Sequence, residues 1–561
     1  MLKGEAMKVI KHFRRLVIFS LICTLGTGCL VGCQPAQKLI NSETEPVLSL
    51  VPFREQGLVM PEIPRDAIEE QLLSQYHKWR NGNHYDADGN LLDTPGYVQN
   101  FQIPEAFALP WERIGKQEGA VVVMVPNGTA SELPGDYCVS TDEAMGYGMM
   151  IAAQFGDWTL FDQLLRVSLY YANYNQERFN RTGNGWCESM TTWAIPAKKG
   201  KDWFGTSYFQ GLPSDVQAQW RENGVQYDPL YLEGTTIKES VIVGETNDVR
   251  NSGGSATDGE LDIAYALYLA AANFKGDKER ATGYLNLART RFDAIMTEVV
   301  DTYGYLSDQP NRAMRFLPSG DYRISYLDGD QYRNEAITRP CDWMNGQIRT
   351  YFNDTKDPRA QALIEANYAH VSQLADTKTG FVPDFAYFSK VNGLDTLLPA
   401  SETISKEWQS DLFYMNSARY PFRMAMDYYH YKDQRGINAA LKIVNYLIET
   451  YKFEVPEDFE AYPPAMHHLN GTADPSGLWQ NPVLNAAIYA AMSMSDNDAY
   501  QDYVTMGWNH LANRFDSRFY DWDGNGLQYD PMHSGYFQDT WALMSLLVMS
   551  GHWSKPELTI Q

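Results

Sequence analysis

Apolar residues recur at helical spacing along almost the whole of this 561-residue chain, and the segments that carry them come in close pairs. In DGELDIAYALYLAAANF, Leu261, Ala264, Tyr265, Tyr268, Leu269 and Ala272 fall on one face in the i, i+3, i+4, i+7 pattern of a helix with one buried side. Met344, Ile348, Tyr351 and Phe352 repeat it in DWMNGQIRTYF. Comparable segments span 64–79, 143–155, 158–175, 277–298, 357–374, 417–430, 436–451, 482–495, 498–513 and 537–550, with few convincing strands between them. Paired segments are joined by short turns such as Phe155-Gly156-Asp157 and Lys275-Gly276-Asp277. Between pairs lie long connections rich in Gly, Pro, Asn and aromatics. Antiparallel helix pairs repeated about six times predict an all-α toroid of hairpins with the long loops gathered on one face. An open helical solenoid is the alternative, but no fixed repeat period is visible. Long loops on a rigid helical scaffold are where function is expected.

Fourteen Trp and thirty-six Tyr exceed what a core needs, so some are expected to line a groove where flat polar ligands such as sugars stack. A net charge of −24 argues against nucleic acid as a partner. At the N-terminus, KVIKHFRR followed by LVIFSLICTLG reads as the basic and apolar parts of a signal peptide. Leu30-Val31-Gly32-Cys33 then has the form of a bacterial lipoprotein box, with Cys33 as the acylated residue. The expected organisation is a signal at 1–33, a tether at 34–55 and one catalytic domain at 56–561, lipid-anchored outside the cytoplasm of a bacterium. An ordinary secretory signal is the alternative. Cys138, Cys187 and Cys341 are too few for a disulfide scaffold, and a Cys138–Cys187 bridge is the one pairing to consider. No CxxC or HExxH spacing points to a catalytic metal, and no cofactor is expected. The Asp-rich turns DADGN (Asp86 to Asn90) and DWDGNG (Asp521 to Gly526) resemble the start of calcium loops but lack the closing glutamate, which leaves structural calcium as the only ion to consider.

Three long loops turn into helices at acids: Asp142 and Glu143 in STDEAMGYGMM, Asp258 and Glu260 in SATDGELDIAY, and Asp342 in RPCDWMNG. Any one of them could be a helix cap, and Thr257 with Glu260 forms a capping-box pattern. Their recurrence at equivalent hairpin ends points to a shared site instead. Gly146 and Gly148 sit inside a helix, where each costs about 1 kcal/mol against Ala, so a backbone or a ligand is expected to come close there.

Taken together, EAMGYGMMIAAQFGD, SATDGELDIAYALYLA, TRPCDWMNGQIRTYF, TGFVPDF and NSARYPFRMAMDY, in this order, resemble glycoside hydrolase family 8 over residues 130 to 550. That resemblance implies an (α/α)6 barrel and an inverting enzyme acting on β-1,4 glucans, mixed-linkage glucan, chitosan or xylan. It implies that Glu143 is the general acid, with Ala144 where the family usually has glycine. It also implies that Asp258 contacts the sugar at the cleavage point, and that Arg339 and Asp342 belong to the site, with Cys341 in place of the usual serine. Tyr147, Trp186, Trp193 and Trp343 are candidate stacking platforms, though any of them could equally be core.

An inverting mechanism needs a second carboxylate on the far face of the sugar ring to activate water. In many family members this is the Asp of a D-[AS]-x-R block, but here the block reads Asn416-Ser417-Ala418-Arg419. An amide cannot take a proton from water near neutral pH, so Asn416 is a substrate-side residue at most, with Arg419 beside it. A family subgroup similar to chitosanases and lichenases also has Asn here and takes its base from the preceding loop. In this chain that loop offers Glu407 first, then Glu402, then Asp411. The leading expectation is a monomeric endo-glycosidase with a polysaccharide substrate. A non-catalytic surface glycan binder and, less well supported, a scaffold for protein partners stand behind it.

Overall fold

The computed structural model describes most positions between residues 48 and 558; outside it lie 1–47, 559–561 and several internal stretches, chiefly 86–90, 113–118, 124–137, 183–188, nearly all of 197–254, 302–316, 406–408, 453–462 and 513–535. Among the described residues are twelve helices of eleven residues or more: α1 (Arg65–Asn81), α2 (Asp142–Phe155), α3 (Trp158–Thr182), α4 (Thr257–Asn273), α5 (Lys278–Ala294), α6 (Asn345–Thr355), α7 (Pro358–Leu374), α8 (Tyr420–Tyr431), α9 (Gln434–Tyr451), α10 (Pro482–Met494), α11 (Gln501–Ala512) and α12 (Tyr536–Met549). A π-helical stretch, Ile295–Val300, extends α5.

Two concentric rings result. Helices α2, α4, α6, α8, α10 and α12 each touch the next, and α12 closes back on α2. Their sequences explain the inner position. Every residue of α2 from Ala144 to Phe155 is buried, as is every residue of α10 from Val483 to Met494. A helix apolar on all sides must be enclosed by others. The outer helices pack on their inner partners, α3 on α2, α5 on α4, α7 on α6, α9 on α8 and α11 on α10; all but α3, which is buried along nearly all of 160–172, keep an exposed face. The sixth pair joins the two ends of the chain, with α1 packing on α12. This is the (α/α)6 barrel. A side chain at Gly146 would meet the Asp262 Cβ at 2.8 Å and the Gly259 carbonyl at 3.0 Å, so this glycine lets α2 and α4 approach closely.

At one end of the barrel the paired helices are linked by short turns that share a design. Gly156, Lys356, Lys432 and Asp496 all adopt left-handed backbone, with φ of 67°, 60°, 59° and 51°. In each case the next residue, Asp157, Asp357, Asp433 or Asn497, accepts a backbone N–H two or three residues on. Asp277 caps α5 in the same way. The left-handed residue ends one helix and the acid or amide starts the next.

At the other end the loops carry strands that the periodicity does not predict. A four-stranded antiparallel sheet runs β1 (Arg323–Asp328), β2 (Gln331–Thr338), β3 (Ala386–Val391) and β4 (Leu394–Pro399). Its register leaves two-residue links, Gly329-Asp330 and Asn392-Gly393. Both dipeptides are hairpin signals, and Asn392 has the positive φ, 52°, that such a turn demands. Pairing of Ile337 and Thr338 with Tyr387 and Ala386 brings the end of β2 beside the start of β3. Within the stretch read as a tether, Val51 is buried and its N–H donates to the Gln154 carbonyl, so contacts with the barrel begin before residue 56. Both candidate calcium turns, Cys187 and Cys33 lie outside the described residues, as does the Cys138 side chain; Cys341 is a free, buried thiol.

Candidate active site

The N-termini of α2 and α4, the segment Arg339–Asp342 after β2, and the turn Ser417–Arg419 before α8 converge at the loop end. Thr141 caps α2 by accepting from the Ala144 N–H, which leaves Asp142 free for tertiary contacts. One oxygen of Asp142 accepts from the Glu143 N–H at 2.7 Å, and the other accepts from the Ala256 N–H at 2.8 Å and the Ser255 hydroxyl at 3.1 Å. This ties the start of α2 to the start of α4. The capping box expected of Thr257 and Glu260 does not form. Thr257 is already inside α4 and donates to the Pro318 carbonyl, while Glu260 turns away to accept the Thr191 N–H. Tertiary partners outcompete the local cap because both side chains are buried.

Arg419 is the hub of the cluster. Its Nη1 donates to Glu143 Oε2 at 2.6 Å, to Asp258 Oδ2 at 2.7 Å and to the Tyr147 hydroxyl at 2.9 Å. Its Nη2 donates to Asn416 Oδ1 at 2.8 Å and to Cys341 Sγ at 3.2 Å. Arg339 completes the frame, with Nη2 on Asp258 Oδ1 at 2.9 Å and Nε on Asp342 Oδ2 at 3.0 Å. The Cys341 thiol donates to Asp342 Oδ1 at 3.1 Å. Tyr536, at the start of α12, donates to Glu143 Oε1 at 3.0 Å. The second arginine of the turn-to-helix stretch, Arg423, makes a two-point pair with Asp262 one turn deeper. Both arginines pair with acids far away in sequence.

Glu143 and Asp258 lie within hydrogen-bond reach of each other and are driven apart in protonation. Burial raises the Glu143 carboxyl to about 7, with Arg419 pulling down and Asp258 pushing up. Asp258 is also penalised by burial, but Arg339 and Arg419 outweigh that and hold it below the usual carboxylate range. Only Glu143 reaches solvent, with 17% of its side chain exposed against 1% for Asp258. A carboxyl that keeps its proton near neutral pH, exposed beside an ionised carboxylate, can serve as a general acid. Asp258 is too close to Glu143 to act as the water-activating base of an inverting pair, which needs about 6.5–9.5 Å. Asp342 is pushed up to about 6, first by burial, against the pull of Arg339.

The remaining sequence candidates divide. Tyr147 and Trp343 are fully buried. Tyr147 serves Arg419, and the Trp343 indole donates to Thr338 Oγ1 at 2.9 Å, so both are framework and not stacking platforms. Trp193 is partly buried and its carbonyl accepts the Asp142 N–H at 3.0 Å. Among the candidate bases, Glu402 is exposed as the first residue of a short helix, Glu402–Ser405, and Asp411 is partly buried. Glu407 and Trp186 lie outside the described residues.

Asp384 escaped the reading of the sequence. It stands in the quoted motif TGFVPDF, at the foot of β3, and is 3% exposed. Its oxygens accept from four consecutive backbone N–H groups, those of Tyr414, Met415, Asn416 and Ser417, and from the Ser417 hydroxyl and the Asn416 amide. Tyr536 was missed as well. It follows a long connection, and the Gly535 before it and Asp539 after it do not by themselves mark the tyrosine between them as a partner of Glu143.

No family model matches the chain. An endoglucanase of Bacillus sp. (strain KSM-330) is 25% identical over 344 residues, covering 59% of this chain and 62% of the relative. A beta-glucanase of Niallia circulans is 26% identical over 304 residues, covering 53% of this chain and 62% of the relative. The matches thus span less than two thirds of these relatives' length. Among solved structures, the apo beta-1,3-1,4-glucanase of Paenibacillus sp. X4 superposes with a TM-score of 0.56 at 19% identity, covering 91% of this chain and 98% of that one. A GH8 xylanase of Teredinibacter turnerae, solved as a catalytic mutant with xylohexaose, gives 0.51 at 14% identity over 88% and 95% of the two chains. In fold and in sequence, then, the chain resembles glycoside hydrolase family 8, as its ordered motifs implied.

Proposed function

We propose that this protein is an inverting, endo-acting glycoside hydrolase that cleaves a β-1,4-linked polysaccharide, with mixed-linkage β-glucan as the first substrate to test and cellulose-type glucan, chitosan and xylan behind it. The opposite protonation of Glu143 and Asp258 within one hydrogen-bonded cluster carries the reading. The names of the relatives, endoglucanase and beta-glucanase, support a glucan. Glu143 donates its proton to the leaving oxygen. Asp258 stays ionised and offsets the positive charge that develops on the ring. A loop glutamate, Glu407 or Glu402, activates the water.

The test is reducing-sugar release from those four polymers by the unmodified protein and by Glu143→Gln, with the anomer of the first product read by NMR. Inversion gives the α-anomer. Separate Glu407→Gln and Glu402→Gln variants locate the base; full rate in both sinks that assignment. Asn416 at the usual base position favours a second reading, a glycan-binding protein without turnover. It requires no sugar release from any polymer, together with binding that survives Glu143→Gln.

The N-terminal lipobox supports export and acylation at Cys33, with the protein acting as a lipid-anchored monomer outside the cytoplasm. Metabolic labelling with a radioactive fatty acid tests this, and label that persists in Cys33→Ala refutes it.

A further inference from the structure

A buried carboxylate that no substrate can reach holds the segment from which Arg419 approaches Glu143. Asp384 takes all six of its hydrogen bonds from residues 414–417, at 2.6–3.3 Å, and its own N–H donates to the Leu412 carbonyl at 2.8 Å. With both oxygens saturated, it has no lone pair to offer a water or a sugar hydroxyl, so it is not a base. What it does is orient Asn416. That amide donates through Nδ2 to Asp384 at 3.3 Å and accepts through Oδ1 from Arg419 Nη2 at 2.8 Å. The Asn416 carbonyl accepts from Arg419 Nε at 3.3 Å, so the guanidinium is gripped along one edge while its other nitrogen faces Glu143 and Asp258.

We propose that Asp384 is a positioning residue which, through Asn416 and Arg419, sets the pH at which Glu143 gives up its proton; the proposal rests on the reading of Glu143 as the general acid.

The charged and titratable groups around Glu143 come from every neighbouring element. They are Asp142 and Tyr147 on its own helix, Asp258 at the start of α4, Arg339, Cys341 and Asp342 after β2, Arg419, and Tyr536 on α12. Of these, Arg419 favours the ionised form most strongly, and Asn416 fixes two of its three nitrogens. Loosening that grip weakens the pull of the guanidinium and lets Glu143 hold its proton to higher pH. An asparagine suits the relay because it donates to a carboxylate and accepts from a guanidinium at once. An aspartate there would set two carboxylates against each other.

The experiment compares Asp384→Asn and Asn416→Ala with the full-length protein. The Asn416→Ala change leaves the backbone bonds to Asp384 in place, so it decides the question if Asp384→Asn fails to fold. The first readout needs no turnover: infrared titration of the Glu143 carboxyl band, assigned by its loss in Glu143→Gln. The second is the basic limb of the pH profile for sugar release. Both midpoints should move up by about 0.5–1 pH unit, with kcat falling more than KM changes. Midpoints that stay at the parental value in a folded variant overturn the proposal. A normal infrared shift without sugar release from any protein would instead sink the glycosidase reading and leave the relay standing.

Discussion

At the short-turn end of the barrel, Asp277 accepts the N–H of Glu279, and Asp357 that of Arg359, each two residues further along its own helix. At the loop end, Asp258 accepts from arginines 81 and 161 residues away, and Glu143 from one 276 residues away. Both ends place acids at helix starts, where the positive end of the helix favours them. Asp277 is exposed and Asp357 half-buried, and their cap bonds are local; Asp157, in the same place before α3, is buried and also accepts from the Tyr76 hydroxyl at 2.7 Å. The loop-end acids are buried, which makes any unpaired charge expensive and forces them to share cations. Asp142 shows the transition between the two roles, with one oxygen on its own helix and one on the next.

The contrast can be broken most directly by removing the titrating acid. Glu143→Gln should lower kcat on the active polymer by about 10³-fold, and a loss under tenfold would end its assignment as acid.

Next in size is the buried pair below the site. Arg423→Leu leaves Asp262 buried without its partner and should cost about 3–5 kcal/mol in a denaturant titration. The double variant with Asp262→Leu should recover most of that. A cost below about 1 kcal/mol for the single change would mean that the pair is not a buried charge problem at all.

A smaller effect concerns pH. Glu143 is raised to about 7 in the folded protein, so its contribution to stability is full below its ordinary value and lost as pH rises through 7. Glu143→Gln should therefore gain about 1–3 °C in Tm over the parent above pH 7 and nothing at pH 4. An equal gain at both values would show that the raised carboxyl is not the cause.

The smallest change is expected at the opposite end. Asp277→Ala should cost about 1 kcal/mol of stability and leave kcat and its pH profile untouched. A shift in that profile would mean the two ends are coupled.

The caps, the paired helices and their buried faces could be read from residues a few positions apart, because a helix is held by bonds between near neighbours. The Asn392-Gly393 turn and the recurring left-handed Lys before Asp at 356–357 and 432–433 were also there to be read. Helical periodicity, the stronger signal in the chain, masks them. The site was only half legible. Its acids stood out by recurrence, but Tyr147 and Trp343 looked like platforms until burial placed them in the framework. Asp384 stood inside the motif TGFVPDF, but nothing in that motif shows its role, since its partners are backbone N–H groups thirty residues on.

By itself the sequence determined that the chain forms antiparallel helix pairs with acids at their loop-facing starts, because periodicity and capping are properties of adjacent turns. Which acid keeps a proton was decided only by the tertiary structure. That depends on how deeply each carboxyl is buried and how many guanidinium nitrogens reach it, and both are set when the six helix pairs close into a ring.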